Sequence, residues 1–294
     1  MTGILLVDKP EGITSHTVVA KLRRLLGTRR IGHSGTLDPL ATGLLVCFIG
    51  RATRAAEFAE SAHKEYIAGL RIGVVTDTQD ITGKVLGISD RRVTVQDVEV
   101  VLDRFRGEQT QIPPMYSAVK VDGKRLYKYM REGVEVERKP RQITVHDLRL
   151  TGENEGDFEL FISCSKGTYV RTLCHDIGQV LDVGAVMSRL RRVAAGEFSI
   201  AEAYTLDQIE EAVKSDLIRT LLIPVDSLFA EFDELRLGSS DTKMLKNGVR
   251  VSVNAEERFY RVYSECGEFL ALSEVKSGAL VTKKSFYELN EKGE

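Results

Sequence analysis

Gly32-His33-Ser34-Gly35-Thr36-Leu37-Asp38-Pro39-Leu40-Ala41-Thr42-Gly43 stands between a basic amphipathic segment and the apolar run Leu44-Leu45-Val46-Cys47-Phe48-Ile49. A short apolar run bounded by Gly43 and Gly50 reads as a buried strand. The twelve residues before it then form a loop at the edge of a core element, where chemistry is usually carried. Three glycines allow its backbone to approach something closely, and it brings one carboxylate, Asp38, and one imidazole, His33. Taken alone, Asp38-Pro39 reads as a helix start, with Asp as cap and Pro in the first helical position.

The rest of the chain narrows the class. At 294 residues it can bury a sizeable core, and one large domain plus a small one is expected. No run of eighteen apolar residues exists to span a membrane. Met1-Thr2-Gly3-Ile4-Leu5 has no basic start followed by a long apolar region, so no secretory signal is expected. Cys47, Cys164, Cys174 and Cys266 form no Cys-x-x-Cys pair; reduced thiols in a cytoplasmic protein are expected. The five histidines show no ligand spacing, so no metal site is expected. Net charge is −2, yet residues 1–56 hold eight Lys/Arg against three acids, and residues 193–236 hold three against ten. Such asymmetry points to one basic face, and phosphate contacts need local positive potential rather than a basic total.

Upstream of the central stretch, Ile4-Leu5-Leu6-Val7 reads as a strand ending in the turn Asp8-Lys9-Pro10-Glu11-Gly12. Thr14 or Ser15 then caps a helix whose core face is Val18, Val19, Leu22, Leu25 and Leu26, with Gly27 ending it. Arg23, Arg24, Arg29 and Arg30 point away and deliver positive charge to the Asp38 loop. Downstream, 51–62 reads as a short helix and Lys64 to Gly73 as a strand, with Tyr66, Ala68, Leu70 and Ile72 on one face. Tyr66 is a core aromatic or a platform on which a splayed base stacks. Thr76 to Gly83 is an acidic, glycine-ended loop without the EF-hand spacing. Thr94 to Asp97 opens a helix with a capping box. Residues 120–141 carry eight basic against four acidic residues, with Tyr127 and Tyr129 interleaved, as suits a nucleic-acid surface.

Ile143 to Val145 and Phe158 to Cys164 read as strands joined by a hairpin across Asn154-Glu155-Gly156. After Ser165-Lys166-Gly167, Thr168 reads as the cap of a helix running to Leu181. Arg171 then falls in the first turn, where the macrodipole disfavours a cation; a nearby anion, phosphate or carboxylate, would explain it. Ser188 to Val193 is basic and partly apolar, and Thr205 with Gln208 matches a capping box. Beyond Pro224, a short helix from Ser239 and several short strands, including Val249 to Val253, suggest a small barrel.

The Gly-His-x-Gly-x-Leu-Asp-Pro-x-Ala-x-Gly string at 32–43 resembles the signature of the TruB-type tRNA pseudouridine synthases. Lys9-Pro10, Pro113 to Ala118, Ser165 to Arg171 and Leu190-Arg191-Arg192 resemble further elements of that family, in order, along essentially the whole chain. The resemblance implies an α+β fold: a mixed, mainly antiparallel sheet flanked by helices, with a small C-terminal β-barrel-like domain. It implies a catalytic domain over 1–228 and a PUA-like RNA-binding domain over 229–294. It implies Asp38 as nucleophile, Arg171 as its partner and Tyr169 as candidate base. Tyr66 would stack on the target base, Leu190 pack against it, Asp80 lie near the flipped nucleotide, and His33 hold the T-loop; Lys9 is carried over with the substrate-binding residues. The implied substrate is uridine 55 of tRNA; a cytoplasmic protein is expected from the cysteines, and a monomer by default.

Pseudouridine formation breaks the N1–C1′ bond, turns the base and joins C5 to C1′. It needs no redox change and no cofactor, which agrees with a chain lacking a dinucleotide fingerprint or P-loop. It needs a carboxylate beside the ribose, as in glycosyl transfer. Attack at C1′, attack at C6 and abstraction of a ribose proton all remain open. A non-catalytic tRNA-binding or RNA-folding protein is the alternative of another class, and an N-glycosidase is a third.

Overall fold

The computed structural model describes all residues except 61, 62, 118, 155 and 288–294. In chain order the elements are β1 (Gly3–Lys9), α1 (Ser15–Leu25), β2 (Ile31–Ser34), β3 (Thr42–Ile49), α2 (Ala56–Glu60) and β4 (Lys64–Ile72). Then come β5 (Val74–Thr76), β6 (Val85–Ile88), α3 (Val95–Leu102), β7 (Gly107–Gln111), β8 (Lys120–Val121), β9 (Lys124–Arg125) and α4 (Leu126–Arg131). The second half runs β10 (Arg141–Asn154), β11 (Asp157–Cys164), α5 (Val170–Val180), β12 (Ala185–Ala195), β13 (Phe198–Ser199) and α6 (Leu206–Lys214). It closes with β14 (Asp233–Leu237), α7 (Ser239–Lys246), β15 (Phe259–Ser264), β16 (Phe269–Lys276) and β17 (Ala279–Ser285).

Among the described residues one large sheet runs β1-β3-β12-β4-β11-β10-β7, with β2 on β3 and β13 on β12. Its pairings are antiparallel except β12 on β3, which is parallel through Arg191↔Thr42 and Arg192↔Gly43. The fold is the expected α+β class. The unbroken apolar run of β3 has a direct cause: both of its faces are covered. Leu45, Cys47 and Ile49 pack with Val18, Val19 and Leu22 of α1 on one side. Leu44, Val46 and Phe48 pack with Ile4, Leu6 and Phe229 on the other. A third cluster unites β4, β10, β11 and β12 with α3 and α5.

Several local expectations hold. Thr14 caps α1, and both capping boxes form, Thr94 with Asp97 and Thr205 with Gln208. Others are corrected. The segment after β3 is a 3₁₀ turn, Gly50–Ala55, followed by the short α2; the end of the expected helix, 61–62, lies outside the described residues. The β10–β11 hairpin pairs Asn154 with Asp157, and its tip, Glu155, lies outside them too. Thr168 does not cap α5: its hydroxyl donates to Ser165 O, and Tyr169 occupies the cap position without a side-chain cap bond. Arg23 does not point away, because its guanidinium donates to Ile31 O at the start of β2. The C-terminal strands form an open four-stranded sheet, β14-β15-β16-β17, not a closed barrel. The expected strand at 249–253 shrinks to a bridge between Ser252 and Ala279.

Candidate active site

The central stretch is a strand, a loop and a strand. His33 lies on β2 opposite Cys47 of β3, half-buried. Residues 35–41 form the loop, and Thr42 enters β3. Asp38 opens a turn closed by Ala41 N–H to Asp38 O at 3.1 Å; no helix starts at Asp38-Pro39. The helix-cap reading of Asp38 therefore fails, and its carboxylate is left to other partners.

Four features of the chain hold this loop. Ser15, in the first turn of α1 and 1% exposed, accepts from Leu37 N–H at 2.9 Å and donates to Leu37 O at 3.0 Å. Gly12 N–H donates to Pro39 O at 2.9 Å. Lys9 is fully buried, and its Nζ donates to Pro10 O, Ile13 O and Pro39 O at 2.8, 2.7 and 3.4 Å. Lys9 thus lies under the loop, facing main-chain oxygens. Burial pushes its ammonium below the usual lysine range, against the pull of Asp38 and Glu11. Leu37 and Ala41 anchor the loop by burial in the same cluster as Tyr66 and Leu190.

Arg171 sits in the first turn of α5, 7% exposed, and its unfavourable place in the helix dipole is answered by carboxylates. One terminal nitrogen lies 3.0 Å from Asp38 Oδ2, and the other 3.3 Å from Asp80 Oδ2. The same two nitrogens donate to Tyr116 O at 2.9 Å and Thr78 O at 3.2 Å. Asp80, 8% exposed, is itself held: its Oδ1 accepts from Thr78 Oγ1, Thr82 N–H and Thr82 Oγ1 at 2.8, 3.0 and 2.6 Å. Asp38 is different, with 44% of its side chain open to solvent. One guanidinium therefore joins a buried, fully satisfied carboxylate to an accessible one. Charge-assisted pairing of this kind orients a reacting carboxylate without covering it.

Around this pair the sheet supplies the walls. Tyr66 of β4 is 9% exposed and pairs in register with Arg192 of β12 and Ile162 of β11. Burial pushes its phenol up, and the neighbouring Arg192 guanidinium opposes that rise. Leu190 of β12 is 9% exposed, and its carbonyl accepts from Thr42 Oγ1 at 3.4 Å. Tyr169 is half-buried, its backbone clamped by Gln111 of β7: Tyr169 N–H donates to Gln111 Oε1 at 2.8 Å, and Gln111 Nε2 donates to Tyr169 O at 3.1 Å. The structure thus brings Asp38, Arg171 and Asp80 into one ion-pair network. It joins Tyr66 and Leu190 to the Asp38 loop by packing. The sequence offered Ser15 only as a possible helix cap and Arg192 only as part of the Leu-Arg-Arg element, and Gln111 not at all, because a glutamine in a polar strand carries no distinguishing pattern.

Comparison with solved structures agrees with the fold. The chain superimposes on one from the crystal structure of a Cbf5-Nop10-Gar1 complex with a TM-score of 0.71 and 26% identity, over 97% of this chain and 85% of that one. The family models give the class, a pseudouridylate synthase. The chain belongs to the TruB family: residues 23–170 match the model of the TruB family pseudouridylate synthase N-terminal domain, and residues 171–230 that of the tRNA pseudouridylate synthase B C-terminal domain. It is 44% identical over 283 residues to a tRNA pseudouridine synthase B of Azoarcus sp. (strain BH72), covering 96% of this chain and 94% of that protein. It is 47% identical over 250 residues to one of Syntrophotalea carbinolica, covering 85% and 81%.

Proposed function

We propose that this chain isomerises uridine 55 in the T-loop of tRNA to pseudouridine, as a cytoplasmic monomer, with Asp38 as the reacting carboxylate. The observation that carries the reading is the 3.0 Å pair between buried Arg171 and half-exposed Asp38 on the family loop. The tRNA substrate follows from the names of the relatives, each a tRNA pseudouridine synthase B.

In this reading the target uridine leaves its stack, as a base must when an enzyme works on its atoms. Tyr66 and Leu190 offer the apolar wall against which the base lies, and His33 supports the opened T-loop. The N1–C1′ bond breaks, the base turns, and C5 bonds to C1′. The C5 proton leaves to Tyr169 and then to water, while N1 takes up a proton, so nothing is oxidised or added. Arg171 aims Asp38 at the ribose or the base ring, and Asp80, near the flipped nucleotide, fixes the far end of Arg171. No described helix is long and apolar enough to cross a membrane.

The test is tritium release from tRNA transcript labelled at uridine C5. Wild-type protein is expected to release tritium and form pseudouridine at position 55, while Asp38→Asn binds the transcript and releases none. Equal release by Asp38→Asn would remove Asp38 from the chemistry. Binding without release by either protein would favour an RNA-folding role. Free uracil in the product mass spectrum would mark a glycosidase.

A further inference from the structure

Arg192 is 1% exposed and, among the described residues, heads the fully buried side chains by size. It stands on β12 with paired strands on both sides, opposite Gly43 of β3 and Tyr66 of β4. A guanidinium in the middle of a sheet is costly unless its donors are met. Here they meet main-chain oxygens on either side of the aspartate loop. Nε donates to Leu44 O at 2.6 Å, and a terminal nitrogen donates to Gly35 O at 2.9 Å.

The two glycines that flank the loop are shaped to this residue. A Cβ on Gly35 would sit 2.9 Å from an Arg192 terminal nitrogen, and one on Gly43 would sit 2.3 Å from Arg192 O. Both glycines are in the left-handed region, φ +71° and +95°. The close approach allowed by these loop glycines is to Arg192. Leu190 and Tyr66 are its neighbours, one on the same strand and one across the ladder. A single buried cation therefore ties the loop that carries Asp38 to the strands that carry the apolar wall.

We propose that Arg192 is a positioning residue for the isomerisation: it fixes the distance between Asp38 and the Tyr66–Leu190 wall by gripping the loop at Gly35 and Leu44. This rests on Asp38 being the reacting carboxylate. Lysine can keep the charge but cannot span both carbonyls with a planar fork, so charge and grip are separable.

The experiment is single-turnover tritium release with saturating protein, beside tRNA binding and thermal melting, on wild type, Arg192→Lys, Arg192→Met, Gly35→Ala and the Arg192→Lys/Gly35→Ala double variant. The wild-type control keeps the two readings apart, because absent wild-type release defeats the proposed function rather than the role of Arg192. With an active wild type, Arg192→Met is expected to lose about a hundredfold in rate, the loss that misplacing a reacting group by about 1 Å produces. Arg192→Lys is expected to lose about tenfold, with tRNA affinity held within about twofold for both, since the contact is not with RNA. Gly35→Ala pushes on the same grip from the loop side. An alanine at φ +71° also strains the loop backbone by itself, so its loss of rate should be smaller, though not absent, in the Arg192→Lys background, as coupled sites require. If Arg192→Met does not fold, the lysine variant and the cycle decide. A folded Arg192→Lys or Arg192→Met at wild-type rate overturns the proposal. So does a loss confined to tRNA affinity, and so do rate losses that multiply in the double variant.

Discussion

Cys47 and Cys174 are fully buried and Cys164 is 1% exposed, and burial pushes their thiols up to about 12, 12 and 11. Only the thiolate attacks an alkylating agent, so these three are inert in the folded protein. Cys266 is exposed in the turn between β15 and β16, where Ser264 and the Glu268 N–H stabilise its thiolate and lower its pKa. Native protein with iodoacetamide at pH 8 is expected to take up one label per chain, at Cys266, and denatured protein four. The rate of native labelling should reach half its maximum below the ordinary thiol value, because the thiolate fraction rises earlier with pH. Peptide mass mapping checks the site, and fast labelling of Cys47 would show that β3 opens to solvent. The same contrast between burial and chemistry separates the charged residues. Asp38 stood out through the family string rather than alone, where Asp-Pro reads as a helix cap, and Arg171 through its misplaced position in a helix dipole. Arg192 was legible only as a member of the Leu-Arg-Arg element, and its burial was not, since an arginine in a basic run reads as a solvated face until its neighbours are seen.

At the scale of elements, α5 begins without a side-chain cap, and Gln111 of β7 instead holds the backbone of Tyr169 at its start. Gln111 is 4% exposed and makes both hydrogen bonds that a neighbouring strand would make to the Tyr169 backbone. Gln111→Leu would fill the space but leave the Tyr169 N–H unmet, while Tyr169 O keeps the Leu173 N–H at 3.0 Å, so a loss of about 1–3 kcal/mol is expected, the usual cost of an orphaned buried donor. The urea midpoint checks it, and because Tyr169 lies two residues before Arg171, pseudouridine formation should fall as well. An unchanged midpoint would mean that water replaces the glutamine. Which elements could be read in advance follows from what their residues touch. The period-2 pattern of β4 and the capping boxes of α3 and α6 are local signals, and all three appear where expected. The strand β12 was hidden because it carries Arg189, Arg191 and Arg192, which look unlike a central strand. Each finds a partner far away in sequence: Asp157 and Glu159 for Arg189, Asp8 for Arg191, and the carbonyls of Gly35 in the loop and Leu44 in β3 for Arg192. Single-sequence patterns carry no information about such partners. Thr168 failed as a cap for a related reason, since its hydroxyl bonds back to Ser165 rather than forward into α5.

At the scale of the whole molecule, we propose that 1–228 and 229–294 are two functional parts that melt as one. The C-terminal sheet has its own core of Leu237, Leu245, Tyr260, Val262 and Leu270. A second cluster crosses the division, with Ile4, Leu6 and Phe48 on one side and Leu272 and Phe286 on the other. Phe229 sits at the join, 1% exposed, its ring centroid 5.0 Å from Phe58, 6.2 Å from Phe269 and 5.9 Å from Phe286. Polar ties run across the same surface: Tyr263 donates to Asp226 at 2.6 Å, and Arg54 to Ser285 O at 3.1 Å. A shared apolar cluster couples two parts strongly, because neither can unfold without exposing the other's buried rings. Calorimetry of the intact chain is expected to show one transition with equal calorimetric and van't Hoff enthalpies. Phe229→Ala should lower stability by about 3–5 kcal/mol, the cost of emptying a buried phenylalanine site. It should also separate the transitions, with the C-terminal sheet melting first because its private core is the smaller. Two transitions already present in the wild type would mean that the sheet is tethered rather than built in. The site geometry gives the coupling a consequence. Ile4 and Leu6 of β1, and Leu44 and Phe48 of β3, face the shared cluster, while Leu44 O is the carbonyl that Arg192 grips. Loosening the C-terminal sheet in Phe229→Ala should therefore slow pseudouridine formation below the melting temperature as well as weaken tRNA binding. A variant that lost affinity alone, at an unchanged single-turnover rate, would confine the C-terminal sheet to holding RNA.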